Sequence, residues 1–159
     1  MNESDTRLHK IDPALKASGW GSGDSLIKTE FKISNGRISA TVKPMPKKAD
    51  YILIHKGVKL AVVEAKSDEV GYAEGVMQAK EYAKKLCIRF TYATDGDNIY
   101  AIDMSTGEEE LIDNFPTPDE LWNMTYGDVD EWRDKFNAQP LYLTEGRNPR
   151  YYQEIAINK

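Results

Sequence analysis

Residues 50–66 read Asp50-Tyr-Ile-Leu-Ile-His-Lys-Gly57-Val-Lys-Leu-Ala-Val-Val-Glu64-Ala-Lys66. Two apolar runs, at 51–54 and 60–63, are rich in the β-branched and aromatic residues that favour strands. A short polar stretch separates the runs, and its glycine suits the backbone conformations of a tight turn. This stretch therefore predicts an antiparallel β-hairpin.

Three charged residues lie at the open end of this hairpin. If the strands pair symmetrically about Gly57, Asp50 lies opposite Glu64, and opposed residues share one face of a sheet. Glu64 and Lys66 also share a face, because side chains alternate along a strand. Opposed carboxylates repel unless a cation or a proton lies between them, and such hard oxygen ligands suit Mg²⁺. The alternative interpretation is an ion pair of Glu64 with Lys66 at the sheet edge, with Asp50 only starting a strand.

The rest of the chain alternates helical and strand-like patterns. These predict an α/β fold with a mixed central β-sheet flanked by helices. The helix after the hairpin is expected to cross over and return the chain to the same sheet. Before the hairpin, the sequence predicts a helix over 4–18 in two pieces, divided at an N-cap at Asp12, and then a strand over 26–33. A turn at 35–36, a returning strand over 38–42 and a basic loop over 43–48 lead into the hairpin. After the hairpin, the predicted elements are a helix over 69–87, strands over 88–94 and 99–104, a helix capped by Thr117 or Asp119, and a helix over 129–136.

Composition limits the classes of protein to consider. The 159 residues are 40% hydrophobic, which is enough for the core of one domain. No apolar run approaches the roughly 20 residues of a membrane-spanning helix, and the polar, acidic N-terminus is unlike a signal peptide. The single cysteine, Cys87, excludes an internal disulfide and a multi-cysteine zinc site. We therefore expect a cytoplasmic protein without membrane contact.

The net charge of −5 is unevenly distributed. Residues 1–94 carry 16 basic and 11 acidic side chains, whereas residues 95–134 carry 1 basic and 13 acidic side chains. A polyanion such as DNA is expected to approach the first segment and to avoid the second. The acidic segment is equally consistent with a solvated face that has no role in binding.

The spacing of Asp50, Glu64 and Lys66 resembles the active-site signature of the PD-(D/E)xK nucleases. Ala49 stands where most members of that family have proline. The resemblance implies a restriction-endonuclease-like core, with all three residues catalytic and with Asp50 and Glu64 holding a metal ion. Many such enzymes add an upstream acidic ligand, which here is Glu30, although a surface glutamate on a strand is an alternative interpretation.

Residues 78–82, Gln-Ala-Lys-Glu-Tyr, resemble the Q-x-x-x-Y element of the RecB-like branch of that superfamily. Gln78 and Tyr82 are four residues apart, so a helix presents them on one face. The resemblance implies that they shape the site and contact DNA. An ordinary amphipathic helix is the alternative. Lys80, Lys84 and Lys85 lie on the side expected to be exposed, where they are candidates for DNA contacts.

A narrower resemblance covers nearly the whole chain. Segments at 11–20, 49–53, 61–66, 92–96 and 115–121 are similar to the restriction (motor) subunit of type I restriction–modification enzymes. The resemblance implies a Mg²⁺-dependent endonuclease, with Mn²⁺ as a substitute, that cleaves double-stranded DNA without sequence specificity of its own. It also implies modification and specificity subunits as partners, and ATP-driven motor domains in the intact subunit.

Residues 149–157 resemble the segment that precedes the ATPase motif of superfamily 2 helicases. We therefore expect a nuclease domain over 1–140, followed over 141–159 by a linker and the start of a truncated helicase/ATPase region. No phosphate-binding Gly-Lys-Ser/Thr loop is present in the sequence, so ATP binding is expected only in the intact subunit.

Two interpretations of function remain open from the sequence. The first is the endonuclease; the second is a catalytically weak nuclease-fold module that serves DNA binding or the assembly of subunits. Two other residues carry structural expectations. His55, near the hairpin tip, is expected to be exposed, and Cys87, at a helix end, is expected to be buried and inert.

Overall fold

The computed structural model describes residues 1–33 and 47–127 of the chain. The chain divides into two units, Met1–Trp122 and Asn123–Lys159, and the sheet belongs to the first. The domain boundary predicted at residue 140 lies outside the described residues and stays a prediction. The described strands are β1 (Ser25–Ile33), β2 (Lys47–His55), β3 (Val58–Ala65), β4 (Phe90–Thr94), β5 (Ile99–Asp103) and β6 (Glu109–Ile112).

These strands form one mixed sheet in the spatial order β1-β2-β3-β4-β5-β6. Neighbouring strands are antiparallel except β3 and β4, which are parallel. The α-helix α3 (Ala73–Leu86) connects that parallel pair, because a parallel connection needs a crossover. The predicted α/β class, mixed sheet and crossover helix are confirmed.

The hairpin of β2 and β3 contains a β-bulge. Near the site, Leu53 pairs with Ala61, but Ile54 pairs with Lys59, so the register shifts by one residue and Leu60 is the extra residue on β3. The turn itself is formed by residues 56 and 57 with positive φ angles of 50° and 77°. Bulges of this kind commonly redirect a strand next to a functional site.

One face of the sheet is covered by α3. The core there consists of alternate strand residues and of the inner face of the helix, including Ile52, Val62, Tyr82 and Ala83. All four are nearly or completely buried. Because side chains alternate along β2 and β3, the charged ends of the hairpin that share this face lie beside α3.

The chain before β1 is helical, as predicted, in three consecutive parts. An α-helix α1 (Glu3–Thr6) continues into a π-helical turn at Arg7–Ile11 and then into an α-helix α2 (Asp12–Ala17). The expectation that Asp12 is an N-cap is wrong, because the chain stays helical there and Asp12 makes no capping hydrogen bond. The Asp12 carboxylate instead accepts a hydrogen bond of 2.7 Å from the Tyr51 hydroxyl, which ties α2 to β2.

Several predicted boundaries differ from the structure. Residues 47 and 48 lie in β2 rather than in a loop, because they pair with the end of β1. The helix expected from residue 69 begins at Ala73, after a turn in which Gly71 has a φ angle of 82°. Strand β6 was not predicted, since it is only four residues long and two of them are glutamates. The turn at 35–36, the strand at 38–42 and the helix at 129–136 lie outside the described residues.

Two expectations about burial are wrong. His55 is only 6% exposed, because it packs edge-on against Trp122 and its Nε2 lies 3.1 Å from Asp119 Oδ1. Cys87 is exposed, because it ends α3 in a left-handed conformation that turns it away from the core.

Thr117 does cap the helical residues that begin at 118: its Oγ1 accepts a hydrogen bond from the Glu120 backbone. None of the described helices is long and apolar enough to cross a membrane.

Candidate active site

The hairpin brings Asp50 and Glu64 to adjacent positions. Tyr51 pairs with Val63, and continuing this register by one residue places Asp50 opposite Glu64. The Asp50 Oδ2 atom accepts a hydrogen bond of 2.8 Å from the backbone nitrogen of Ala65. The register predicted from the sequence is therefore confirmed in this part of the hairpin, and the Asp50 carboxylate is held against the end of β3.

Glu64 is a buried carboxyl group, only 1% exposed, whose two oxygens have different surroundings. Its Oε1 lies 3.1 Å from the Lys66 ammonium, whereas its Oε2 is buried without a hydrogen-bond partner among the described residues. Burial, and then the nearby charge of Asp50, raise the pKa of Glu64 to about 8, although Lys66 acts in the opposite direction. A buried acceptor without a donor is costly, so this oxygen is suited to receive a cation or a proton.

Lys66 occupies the same face, with a side chain that is 16% exposed. Besides Glu64, its ammonium lies 3.4 Å from Gln78 Oε1 and 3.9 Å from Glu3 Oε2. Burial lowers the pKa of Lys66, but the carboxylates of Glu64, Glu3 and Asp50 outweigh it and raise the pKa above the ordinary lysine value. Lys66 is therefore a charged, partly desolvated donor directed into the candidate site.

The helix α3 approaches this part of the sheet closely because residue 75 is glycine. A Cβ atom at Gly75 would lie 3.3 Å from Lys66 Cγ and 3.5 Å from Glu64 Cγ. The contact with Lys66 Cγ is tighter than nine in ten real Cβ contacts, so a side chain at residue 75 requires Lys66 to shift by a few tenths of an ångström, whereas the distance to Glu64 Cγ is ordinary van der Waals contact. Gly75 thus lets α3 cover Glu64 and Lys66 and exclude water from them.

The predicted Gln78 and Tyr82 pair also lies at this site. Gln78 Nε2 donates a hydrogen bond of 2.9 Å to the Tyr82 hydroxyl, and Gln78 Oε1 faces the Lys66 ammonium. Tyr82 is nearly buried, so it gives Gln78 a fixed partner. These contacts place the pair where it can hold the Lys66 side chain in one position. A contact of either residue with DNA stays a prediction.

The three lysines of α3 predicted to contact DNA have different surroundings. Lys80 forms an ion pair with Glu109 of β6. Lys85 forms an ion pair of 2.9 Å with Glu81, one turn earlier in the helix. Lys84 is exposed. Since carboxylates lie beside two of the three ammonium groups, the DNA role of this helix face stays a prediction.

Glu30 lies close to Asp50 in the sheet. Thr29 pairs with Tyr51 and Phe31 with Ala49, so Glu30 stands opposite Asp50. Its φ angle is 49°, which is a strained conformation for a residue other than glycine. Its side chain is 60% exposed and lies 3.9 Å from Arg7 and 3.4 Å from Lys48. A role of Glu30 as a metal ligand stays a prediction.

Sequence reasoning missed two residues of the site, Glu3 and Arg7. The Arg7 Nη1 atom lies 3.5 Å from Asp50 Oδ1, and the Glu3 carboxylate lies 3.9 Å from the Lys66 ammonium. Their spacing of four residues indicates one helix face, but no sequence pattern indicates that this face meets the end of the hairpin.

The oxygens of Asp50 and Glu64 suit a hard divalent cation. Mg²⁺ is usually bound through one or two carboxylates, with water and substrate phosphate as its other ligands. Two carboxylates that influence each other, one of them with an unpartnered buried oxygen, fit that description. In residues 1–33 and 47–127, no group of three or more His, Cys, Asp or Glu side chains is placed to hold a metal. Among the described residues, Asp50 and Glu64 are therefore the carboxylates best placed for such an ion, and Glu30 as a third ligand stays a prediction.

The chain is similar to known proteins over its whole length. A curated relative, the endonuclease subunit of the type I restriction enzyme EcoAI from Escherichia coli, is 33% identical over 177 residues, covering 100% of this chain and 21% of the relative. A solved fragment assigned to the HsdR subunit of a type I restriction enzyme from Vibrio vulnificus YJ016 is 38% identical, with a TM-score of 0.74. The match covers 99% of this chain and 31% of that one.

The family model described as type I restriction enzyme R protein N terminus matches residues 24–110. The matched region includes both strands of the hairpin, the helix α3 and the strands β4 and β5. This chain therefore belongs to the family of type I restriction enzyme R protein N-terminal regions.

Proposed function

We propose that this chain is a Mg²⁺-dependent endonuclease domain that cleaves duplex DNA without sequence specificity of its own. The observation that carries the proposal is the buried Glu64 carboxyl, which has one unpartnered oxygen and lies beside Asp50 and in contact with Lys66. The name of the E. coli relative as an endonuclease subunit supports the same activity.

In this proposal Asp50 and Glu64 hold Mg²⁺, for which Mn²⁺ can substitute, and Lys66 acts on the reacting groups. Bound Mg²⁺ supplies polarisation of the scissile phosphate and a lowered pKa of water. The Lys66 ammonium donates to the attacking oxygen or to the negative charge that develops on the phosphate. Gln78 and Tyr82 hold that ammonium in place, since they form a continuous set of contacts with it.

The surrounding assembly is part of the proposal. The chain spans 21% of the curated relative, so the activity of the intact subunit is inferred from resemblance. We infer a nuclease domain over residues 1–140 and the start of a superfamily 2 motor region over 141–159. ATP then acts only in the intact subunit, and modification and specificity subunits are the partners that supply sequence recognition.

The test is nicking of supercoiled plasmid by the 159-residue chain in Mg²⁺, in Mn²⁺ and in EDTA. Lys66→Ala is expected to lower the nicking rate by about 100-fold or more, the scale of losing one preorganised electrostatic group. The matched control is Lys59→Ala on the same strand, whose ammonium packs over the Phe31 ring. The control is expected to nick at nearly the wild-type rate.

Duplex affinity separates chemistry from binding. Lys66→Ala is expected to weaken duplex binding by no more than the loss of one phosphate contact. Joint replacement of Lys80, Lys84 and Lys85 by glutamine is expected to weaken binding and to reduce its salt dependence. Metal-dependent nicking that persists in Lys66→Ala would contradict the assigned role. Duplex binding without nicking in the wild type would favour the second interpretation, a binding or assembly module.

A further inference from the structure

Arg7 is placed at the candidate site by contacts that do not involve Asp50. Its guanidinium lies over the Tyr51 ring, 4.9 Å from the ring centre, and its Nε lies 3.3 Å from the Tyr51 hydroxyl. Tyr51 is completely buried, and its hydroxyl donates to Asp12 on α2. The Arg7 side chain is only 18% exposed. The aromatic ring and the hydroxyl thus hold the guanidinium beside the hairpin end.

The Nη1 group of Arg7 lies near two carboxylates without a hydrogen bond to either of them. Nη1 lies 3.5 Å from Asp50 Oδ1 and 3.9 Å from Glu30 Oε1. A guanidinium has five N–H donors, and within residues 1–33 and 47–127 only the donor on Nε makes a hydrogen bond. The Nη donors therefore neutralise the carboxylates at a distance and remain available to an acceptor that offers better geometry.

The local backbone also sets Arg7 apart. It is the first residue of the π-helical turn Arg7–Ile11 between α1 and α2. Single π-helical turns are rare and occur frequently at functional sites, since they change which side chains share a helix face. Here the turn is part of the segment that carries both Glu3 and Arg7 to the end of the hairpin.

We propose that Arg7 is a substrate-positioning residue that binds a phosphate of the DNA backbone when Asp50 binds a divalent cation, and that it neutralises Asp50 otherwise. This inference rests on the proposed nuclease function. When a cation is bound at Asp50, that carboxylate no longer attracts the guanidinium, and the cation itself repels it. A phosphate offers the planar Nη fork two oxygens, which makes it a favourable new partner.

The test measures duplex binding with and without a divalent ion, apart from cleavage. Arg7→Gln and wild type are titrated with a short duplex in Ca²⁺ and in EDTA, and a gel verifies that the duplex stays intact. The matched control is Arg89→Gln, because Arg89 also packs over an aromatic ring and pairs with an aspartate, Asp103, away from the site. Circular dichroism verifies that each variant is folded.

We expect Arg7→Gln to weaken duplex binding about 10-fold in Ca²⁺, the scale of losing charge-assisted hydrogen bonds to phosphate. In EDTA the loss is expected to be about 2-fold or less, because Arg7 is then engaged by Asp50. The slope of log affinity against log salt is expected to decrease by about 1 in Ca²⁺ only. Arg7→Lys keeps the charge but not the planar fork, so it is expected to recover only part of the affinity.

Mn²⁺ titration in the absence of DNA gives a second readout. Arg7→Gln is expected to bind Mn²⁺ more tightly than wild type, since a competing cation has been removed from Asp50. Equal losses of duplex affinity in Ca²⁺ and EDTA, no loss in either, or weaker Mn²⁺ binding would overturn the proposal for Arg7. An equal loss in Arg89→Gln would do the same. Unchanged Mn²⁺ binding in Asp50→Asn would instead refute the proposed metal site, so the two failures are distinguishable.

Discussion

Replacing Glu64 with glutamine tests the buried carboxyl through the pH dependence of stability. The pKa of Glu64 is about 8 in the folded chain, against an ordinary value of 4.5. Between these values the folded state retains a proton that the unfolded state releases. The group therefore stabilises the fold most at low pH, and this contribution is lost as pH rises toward 8.

The expected size follows from proton linkage. With one proton held by the folded state only, stability falls by about 1.4 kcal/mol for each pH unit within this window. Glutamine resembles the protonated carboxyl in size and lacks the titration. Between about pH 5.5 and about pH 7.5, the free energy of unfolding of Glu64→Gln should therefore rise relative to wild type by about 3 kcal/mol.

The measurement is urea denaturation of both proteins in EDTA at the two pH values. Glu74→Gln is the matched control, because Glu74 is an exposed glutamate in the first turn of α3. Its difference from wild type should be the same at both pH values. If the difference for Glu64→Gln is also unchanged by pH, the carboxyl is not held in a desolvated site and its proposed affinity for a cation loses its physical basis.

Two further predictions concern the same site. Millimolar Mg²⁺ or Mn²⁺ should raise the melting temperature of wild type by mass action on the folded state. Asp50→Asn should remove this increment, because it removes the charge but keeps an acceptor for the Ala65 backbone nitrogen. An unchanged increment in the variant would mean that the ion binds elsewhere. Gly75→Val should lower the free energy of unfolding, measured by urea denaturation, by about 1–3 kcal/mol, the usual scale of overpacking. It should also lower the rate of plasmid nicking, because the valine side chain displaces Lys66. An undiminished nicking rate would contradict the role of Gly75 in positioning Lys66.

The hairpin and the crossover helix could be predicted because local patterns determine them. Apolar runs on both sides of Gly57 indicate paired strands, and the crossover follows from a helix between two strand-like stretches. Strand β6 was missed for a physical reason. It forms one edge of the sheet and is exposed, so Glu109 and Glu110 are tolerated where a central strand would need apolar residues.

The site could be predicted only in part, since several of its contacts join residues that are far apart in the sequence. Glu64 and Lys66 are two residues apart, whereas Arg7 and Asp50 are separated by more than forty positions and meet only through tertiary packing. The burial of His55 depends on Asp119 and Trp122 in the same way. No sequence pattern around Arg7 or His55 distinguishes it from an exposed polar side chain.

The β-bulge at Leu60 bears on how the spacing of such sites can vary among related proteins. Next to the turn, His55 pairs with Val58, and this register continued without a bulge would place Asp50 opposite Val63. The extra residue at the bulge shifts the register by one, so that Asp50 lies opposite Glu64. The thirteen residues between Asp50 and Glu64 thus combine a two-residue turn with one inserted residue. A homologue that lost the inserted residue could keep the same pairing with one residue fewer, whereas a single deletion elsewhere in β3 would turn one carboxylate to the opposite face. Among related proteins, a change in the number of residues between the two carboxylates is therefore expected to coincide with the gain or loss of the bulge.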